Sequence, residues 1–178
     1  MKPPRRLLAA LALGTGLFGG PASAQPTDDQ VKAAFLPKFA RYVAWPASAQ
    51  PAADAPFTLC MIGRDPFGRA LDGAAAGEVI DGHSVAVRRM ASAEGAAGCH
   101  MAFVQGANPA ETSRMLAALR RQAVLTVTDG GAGTRGMIHF TIVARRVRFF
   151  IDEAQAAERG LSISSRLLAL AANVRPRR

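Results

Sequence analysis

A succession of short strand-like runs, separated by turn and helix signals, constrains the fold of this chain more than any other feature. The runs are residues 57–62 (FTLCMI), 84–88 (SVAVR), 100–104 (HMAFV) and 124–128 (VLTVT). Each is short enough for a strand and too short for a typical buried helix. Helix signals lie between them, most clearly Asn108 as a cap followed by Pro109 in the first turn. Alternating strands and helices predict a largely parallel sheet with right-handed crossovers.

The C-terminal part of the chain departs from this alternation. Residues 137–143 and 147–151 are two strand-like runs joined by a very short connection, which predicts an antiparallel hairpin. Asp152 then caps one helix, and Ser164 or Ser165 caps the last one. The sequence therefore predicts a single α/β domain of three layers, with a mostly parallel, Rossmann-like sheet and an antiparallel hairpin at its C-terminal side.

The aromatic stretch at residues 31–46 (VKAAFLPKFARYVAWP) predicts an amphipathic helix that runs as far as the Trp-Pro pair. Thr27 and Gln30 form a capping-box signature at its start. Apolar side chains then recur every three or four residues, as on one face of a helix: Val31, Phe35, Phe39 and Tyr42. Pro37 lies inside this segment and predicts a bend, since proline cannot donate a helix hydrogen bond. A bent helix could pack one half on the sheet and leave the other half available for binding.

The first 24 residues predict a secretory signal peptide. A basic start is followed by an apolar run too short to span a bilayer and by the small-residue site Ala22-Ser23-Ala24. We expect cleavage after residue 24, a single mature domain over residues 25–178, and a periplasmic location.

The charge balance is basic but lacks the pattern of a nucleic-acid-binding protein. The chain has 22 Lys and Arg against 13 Asp and Glu, a formal net charge of +9. Its arginines are dispersed and do not form a stripe interleaved with aromatic residues. No nucleic-acid partner is expected, whereas a weak preference for anionic ligands or a membrane surface fits the charge.

Two cysteines, Cys60 and Cys99, lie in the part predicted to be exported. An even number of cysteines in an oxidising compartment favours a disulfide. The histidines at positions 83, 100 and 139 lack the spacing of a metal site, so no metal is predicted.

The sequence gives no sign of an enzyme or of a cofactor. It has no Gly-x-Ser-x-Gly elbow, and its histidines fall on or near different strands. The turn at residues 63–68 (GRDPFG) lacks the glycine spacing of a dinucleotide fingerprint or a P-loop. Asp65 as a cap and Pro66 at the first helical position predict that a short helix begins in this turn, which is either purely structural or part of a ligand site.

Several motifs in order resemble the YfiR-like family of periplasmic regulators. They are VKAAF and FARYVAWP within residues 31–46, CMIGRDPFG at 60–68, Cys99-His100, LTVTD at 125–129, GMIHF at 136–140, VRFFID at 147–152 and GLSISSRLLALA at 160–171. Together they cover nearly the whole predicted mature chain.

The resemblance implies a repressor that binds the periplasmic sensor region of an inner-membrane diguanylate cyclase, or a similar membrane sensor protein. Such binding lowers cyclic-diguanylate synthesis. It further implies that the domain can form a homodimer, that an outer-membrane lipoprotein can sequester it, and that reduction of the disulfide releases the cyclase.

Two binding hypotheses use the same residues. In the first, the aromatic face contacts a protein partner; in the second, a pocket between the first helix and the sheet holds an aromatic or phosphate-bearing effector. The candidate residues for partner or ligand binding are Phe35, Phe39, Trp45, Arg64 and Arg166. An ordinary core role for the three aromatic residues remains an open alternative.

Overall fold

The computed structural model describes residues 25–130 and 133–177. The predicted signal peptide lies outside the described residues. Within them, no helix combines the length and the apolar character needed to cross a membrane.

The described residues form ten strands and five α-helices. The strands are β1 (Val43–Ala44), β2 (Phe57–Gly63), β3 (Val79–Ile80), β4 (His83–Met90), β5 (Met101–Gln105), β6 (Leu125–Asp129), β7 (Ile138–Val143), β8 (Arg146–Asp152), β9 (Ser162–Ile163) and β10 (Asn173–Arg175). The helices are α1 (Asp28–Ala40), α2 (Arg69–Ala75), α3 (Pro109–Ala118), α4 (Glu153–Ala157) and α5 (Ser165–Leu168).

Eight of these strands form one sheet in the order β10-β8-β7-β6-β5-β2-β4-β3. Five neighbouring strands, β4, β2, β5, β6 and β7, run parallel to one another. The β7–β8 pair is antiparallel, as predicted for the hairpin. The predicted α/β class with a mostly parallel sheet is confirmed.

The sheet lies between two helical layers. Along β2, Leu59 and Met61 belong to the core cluster shared with α1, α2, α4 and α5. The intervening Cys60 and Ile62 belong to the cluster shared with α3. Because successive side chains of a strand point to opposite faces, a strand buried on both sides reads as a continuous apolar run. We call the two sides of the sheet the α1 face and the α3 face.

The first helix is shorter than predicted. The capping box of Thr27 and Gln30 is present, but α1 ends at Ala40, so Trp45 is not on the helix. The next residues form β1, which pairs antiparallel with β9 in a separate two-stranded sheet. This long-range pairing takes the chain out of the helix before the Trp-Pro pair is reached.

The second helix begins later than predicted. Asp65 does not cap it; its carboxylate accepts hydrogen bonds from the backbone amides of Phe67 and Gly68, at 2.8 and 3.1 Å. Aspartate side chains often bond the backbone two residues onward and so stabilise a turn instead of a helix. The helix starts at Arg69, after Gly68 at a positive φ of 49°.

Candidate functional site

The helix aromatics Phe35 and Phe39 join one aromatic cluster beneath α1. Their rings stack with centroids 5.6 Å apart, and Phe39 packs edge-on against Phe149 at 4.9 Å. Both rings also contact Phe140. Phe39 is 1% exposed, and Phe35 is partly buried against the same cluster. The expected division of the helix at Pro37 is therefore wrong, because residues on both sides of the proline pack on one cluster.

Trp45 is held in a different part of the core. Its indole Nε1 donates a 3.0 Å hydrogen bond to the carbonyl oxygen of His100. Its ring packs edge-on against Phe57 at 5.0 Å, and the residue is 7% exposed. Tryptophan is well suited to such a site because its N–H finds a partner while its ring is buried.

Arg64 and Arg166 lie apart from these aromatics and from each other. Arg64 follows β2 at the carboxyl edge of the sheet, whereas Arg166 lies in α5; both are exposed. They line different cavities, and neither cavity is lined by Phe35, Phe39 or Trp45. The predicted pocket between the first helix and the sheet, which would join the three aromatic residues to Arg64 or Arg166, is therefore not assembled.

Arg166 instead lines an open cleft beside the small sheet. The β1–β9 pairing brings its two sides together, and the Ser164 amide donates a 2.8 Å bond to the Tyr42 carbonyl. Ser164 also caps α5, as its hydroxyl accepts from the Arg166 amide at 3.2 Å. Arg41, Tyr42 and Asp81 line the same cleft. We call this group of residues the Tyr42–Arg166 cleft. Tyr42 is 36% exposed; the sequence placed it on the apolar helix face but did not single it out as a candidate binding residue.

The predicted disulfide between Cys60 and Cys99 is present. It joins β2 to a position two residues before the neighbouring strand β5, with Cα atoms 5.8 Å apart. Both residues are buried on the α3 face. The guanidinium of Arg88 donates to the carbonyls of Gly95 and Ala97, at 2.7 and 2.9 Å, which fixes the loop that carries Cys99.

A polar group that the sequence did not predict lies where the parallel strands end. The ammonium of Lys32, on α1, is 2.7 Å from Oδ2 of Asp129 at the end of β6, and both side chains are mostly buried. Nearby, Thr128 Oγ1 is 2.9 Å from Nδ1 of His139 and accepts from the Gly136 amide at 2.9 Å. Burial and the nearby Arg135 guanidinium lower the pKa of His139, although Asp129 partly opposes them. The net lowering favours the neutral form of the ring.

Comparison with known proteins assigns the family. A model of the YfiR/HmsC-like family matches residues 29–172. The chain belongs to the YfiR/HmsC-like family. No curated protein matches its sequence. The match begins in α1 and ends just before β10, so it spans both helical layers and the small sheet.

Membership of the YfiR/HmsC-like family favours a regulatory over a catalytic role. Within the described residues, no group of three metal-ligating side chains converges. Two features of this YfiR/HmsC-like domain offer binding chemistry at its surface. One is the Tyr42–Arg166 cleft, and the other is the polar group at the carboxyl edge of the sheet.

Proposed function

We propose that this protein is a periplasmic regulator that binds the sensor region of an inner-membrane diguanylate cyclase, or of a similar membrane signalling protein. Binding lowers the synthesis of cyclic diguanylate. The observation that carries this proposal is the family match over residues 29–172. Export by a cleaved signal peptide at residues 1–24 is part of the same proposal.

The partner surface that we propose is the Tyr42–Arg166 cleft. Aromatic and arginine side chains anchor many protein interfaces, because they bury a large area and keep a polar end for hydrogen bonding. Tyr42 and Arg166 are both exposed and line the same cleft, and Arg166 makes no ion pair with any described residue. By contrast, Phe39 and Trp45 are buried, which favours a structural role for them.

A capture experiment tests this surface. The tagged mature protein is incubated with detergent-solubilised membranes that contain the candidate cyclase, and the recovered cyclase is quantified. We expect Tyr42→Ala and Arg166→Ala each to reduce recovery, with cyclic-diguanylate synthesis restored in cells. The matched controls are Ile142→Ala and Arg148→Ala, exposed residues on the β7–β8 hairpin outside the cleft. Equal recovery by all four variants would exclude the cleft as the partner surface.

Two further partners belong to the proposal. An outer-membrane lipoprotein sequesters the regulator, and two copies of the regulator form a homodimer. Cross-linking in whole cells followed by mass spectrometry tests the lipoprotein contact. Light scattering of the purified protein tests the dimer, and a mass of one chain at all concentrations contradicts it.

Small-ligand sensing is the second candidate function. The expected aromatic pocket does not form, but a polar cavity opens at the carboxyl edge of the sheet. Its lining contains no Phe, Tyr or Trp, so it does not suit an aromatic effector. The residues that line this cavity therefore favour a different class of effector.

A further inference from the structure

The connections of the sheet change direction between β2 and β5. From β2 the chain crosses through α2 to β4 on one side, and from β4 it returns to β5 on the other side of β2. In open parallel sheets, such a change leaves a crevice outside the carboxyl ends of the strands, where ligands bind. Here the crevice lies between the residues that follow β2, β5 and β6.

The two strand ends meet closely at this point. A Cβ added to Gly63 would lie 2.3 Å from the carbonyl oxygen of Gln105, so only glycine fits. The amide of Arg64 donates to the same carbonyl at 2.7 Å. Arg64 is thereby fixed beside Gln105 at the mouth of the crevice, although its side chain remains exposed.

The crevice is a cavity of about 290 Å³, at the small end of the range for ligand pockets. Gln105 lines it, and its Oε1 is buried without a hydrogen-bond partner, the only such side-chain atom among the described residues. Buried polar atoms are nearly always paired, because an unpaired one loses its hydration without replacement. An occupant whose hydroxyl donor reaches this oxygen would pair it.

Other groups of the lining also have unused bonding capacity. The ammonium of Lys32 donates to Oδ2 of Asp129. The other carboxylate oxygen of Asp129, Oδ1, makes no hydrogen bond to a described residue. The Thr128 hydroxyl accepts from the Gly136 amide, so its own hydrogen is available to Nδ1 of His139. No described residue is hydrogen-bonded to the other ring nitrogen, Nε2.

The charge of the lining selects the charge of the occupant. The ionised lining residues are Arg64 and Asp129. Lys32 pairs with Asp129 at 2.7 Å and also lies 3.5 Å from the more exposed Asp29, whereas Arg64 makes no ion pair with a described residue. The neighbouring helix end is already satisfied, since Glu111 accepts from the Ala107 amide and Asn108 accepts from the Glu111 amide. One guanidinium charge therefore remains for an anion, together with two oxygen acceptors for hydroxyl groups.

We propose that this cavity, lined by Arg64, Gln105, Asp129 and His139, binds a small, singly charged hydroxy acid of about the size of a sugar acid. The carboxylate of the ligand pairs with Arg64, and its hydroxyls donate to Gln105 Oε1 and Asp129 Oδ1. The site lies apart from the Tyr42–Arg166 cleft and does not depend on the identity of the membrane partner.

Ligand titration followed by NMR and calorimetry tests the proposal on the mature protein. D-Glucuronate carries both the carboxylate and the hydroxyl groups of the proposed ligand. D-Glucose carries the hydroxyls alone, and acetate carries the carboxylate alone. We expect glucuronate to bind more tightly than either of the other two. Absence of glucuronate binding, or equal binding of acetate and glucuronate, overturns the proposal.

Two variants and one control identify the site. Arg64→Ala should weaken glucuronate binding about tenfold or more, the effect of losing one charge-assisted hydrogen bond, and should leave glucose unchanged. Gln105→Ala should weaken the binding of both glucuronate and glucose and should keep the preference for glucuronate. Arg69→Ala, a nearby exposed arginine outside the lining, should bind as the wild type does. Equal losses in Arg64→Ala and Arg69→Ala overturn the assignment, and melting curves of each variant report whether it is folded.

Discussion

The two faces of the sheet are packed by different means. The α1 face is filled with large aromatic side chains, including Phe39, Phe103 and Phe140, all at most 1% exposed. The α3 face is filled mainly by small and aliphatic residues around the Cys60–Cys99 disulfide. Because a buried aromatic side chain removes about 150–250 Å² of surface from water, each buried residue of the α1 face contributes more hydrophobic stabilisation than one of the α3 face.

This difference separates two sources of stability in one domain. The α1 face depends on non-covalent burial, which is the same in oxidising and reducing conditions. The α3 face adds a covalent link between adjacent strands, so its stability depends on the redox state. A change of redox state should therefore act on the α3 face first and leave the aromatic cluster packed.

The largest effect on stability is expected for Phe39→Ala on the α1 face. Truncation removes a fully buried ring from a four-phenylalanine cluster, which should lower the free energy of unfolding by about 3–5 kcal/mol. Urea denaturation measures the loss. Tyr42→Ala, an exposed aromatic just beyond the same helix, should change stability by about 0.5 kcal/mol or less. Similar losses in both variants would show that the cluster is not the main support of this face.

A smaller loss is expected when the disulfide of the α3 face is removed. The cysteines are 39 residues apart, and a closed loop of this length stabilises a protein by about 2–4 kcal/mol. Urea denaturation of Cys60→Ala/Cys99→Ala should show this loss. Dithiothreitol should destabilise the wild type by a similar amount and leave the double variant unchanged. A wild type that is indifferent to dithiothreitol would remove the redox distinction between the faces.

Thr128→Val tests the polar part of the α3 face and should cost about 1–3 kcal/mol. The substitution removes the acceptor of the Gly136 amide, which is then buried without a partner. Thr141→Val, on the partly exposed hairpin strand β7, should be nearly neutral. Chemical denaturation of the two variants measures the contrast. Equal stabilities would mean that the Gly136 amide finds another acceptor.

The sequence predicted the elements whose signals are local. The parallel strands appeared as continuous apolar runs because they are buried on both faces, as the alternation of Leu59 and Cys60 shows. Asn108 caps α3 and Asp152 caps α4, as their side chains predicted. Between β3 and β4, Asp81 and Gly82 form a two-residue turn in which both residues take positive φ, a conformation that an Asp-Gly pair favours.

The features that the sequence did not predict depend on contacts between distant residues. The end of α1 is set by pairing of Val43 with Ile163, which no local pattern reveals. The short strand β10, which carries the charged residue Arg175, was not predicted from the sequence. It forms because it pairs in parallel with β8. Lys32 lies beside the apolar positions predicted for the first helix, and only the fold brings it to Asp129, 97 residues away. Of the candidate site, local sequence therefore indicated Arg64, but not the residues that surround it.

The smallest effect expected is a dependence of stability on pH, to which each face contributes one histidine. His100 stacks on Phe57 beside the aromatic core, and burial followed by the nearby His83 lowers its pKa from the ordinary 6.5. Burial first, and then Arg135, likewise lowers the pKa of His139, which lies beside Thr128.

In both cases the folded state holds the neutral ring, so below the ordinary value of 6.5 the unfolded chain takes up the proton first. The stability that the two neutral histidines contribute should be fully present above pH 6.5. It should be lost as the pH drops toward their lower folded-state pKa values. Melting temperatures measured across this window test the sign. His139→Gln should flatten the dependence by removing the contribution of the α3 face, and His100→Gln should do so for the α1 face. If neither variant changes the slope, the histidines do not set the acid sensitivity in this window. Asp65 acts at lower pH: burial raises its pKa, but hydrogen bonds from Arg89 and two backbone amides lower it overall from the ordinary 3.8, so its contribution is lost only as the pH falls below that value.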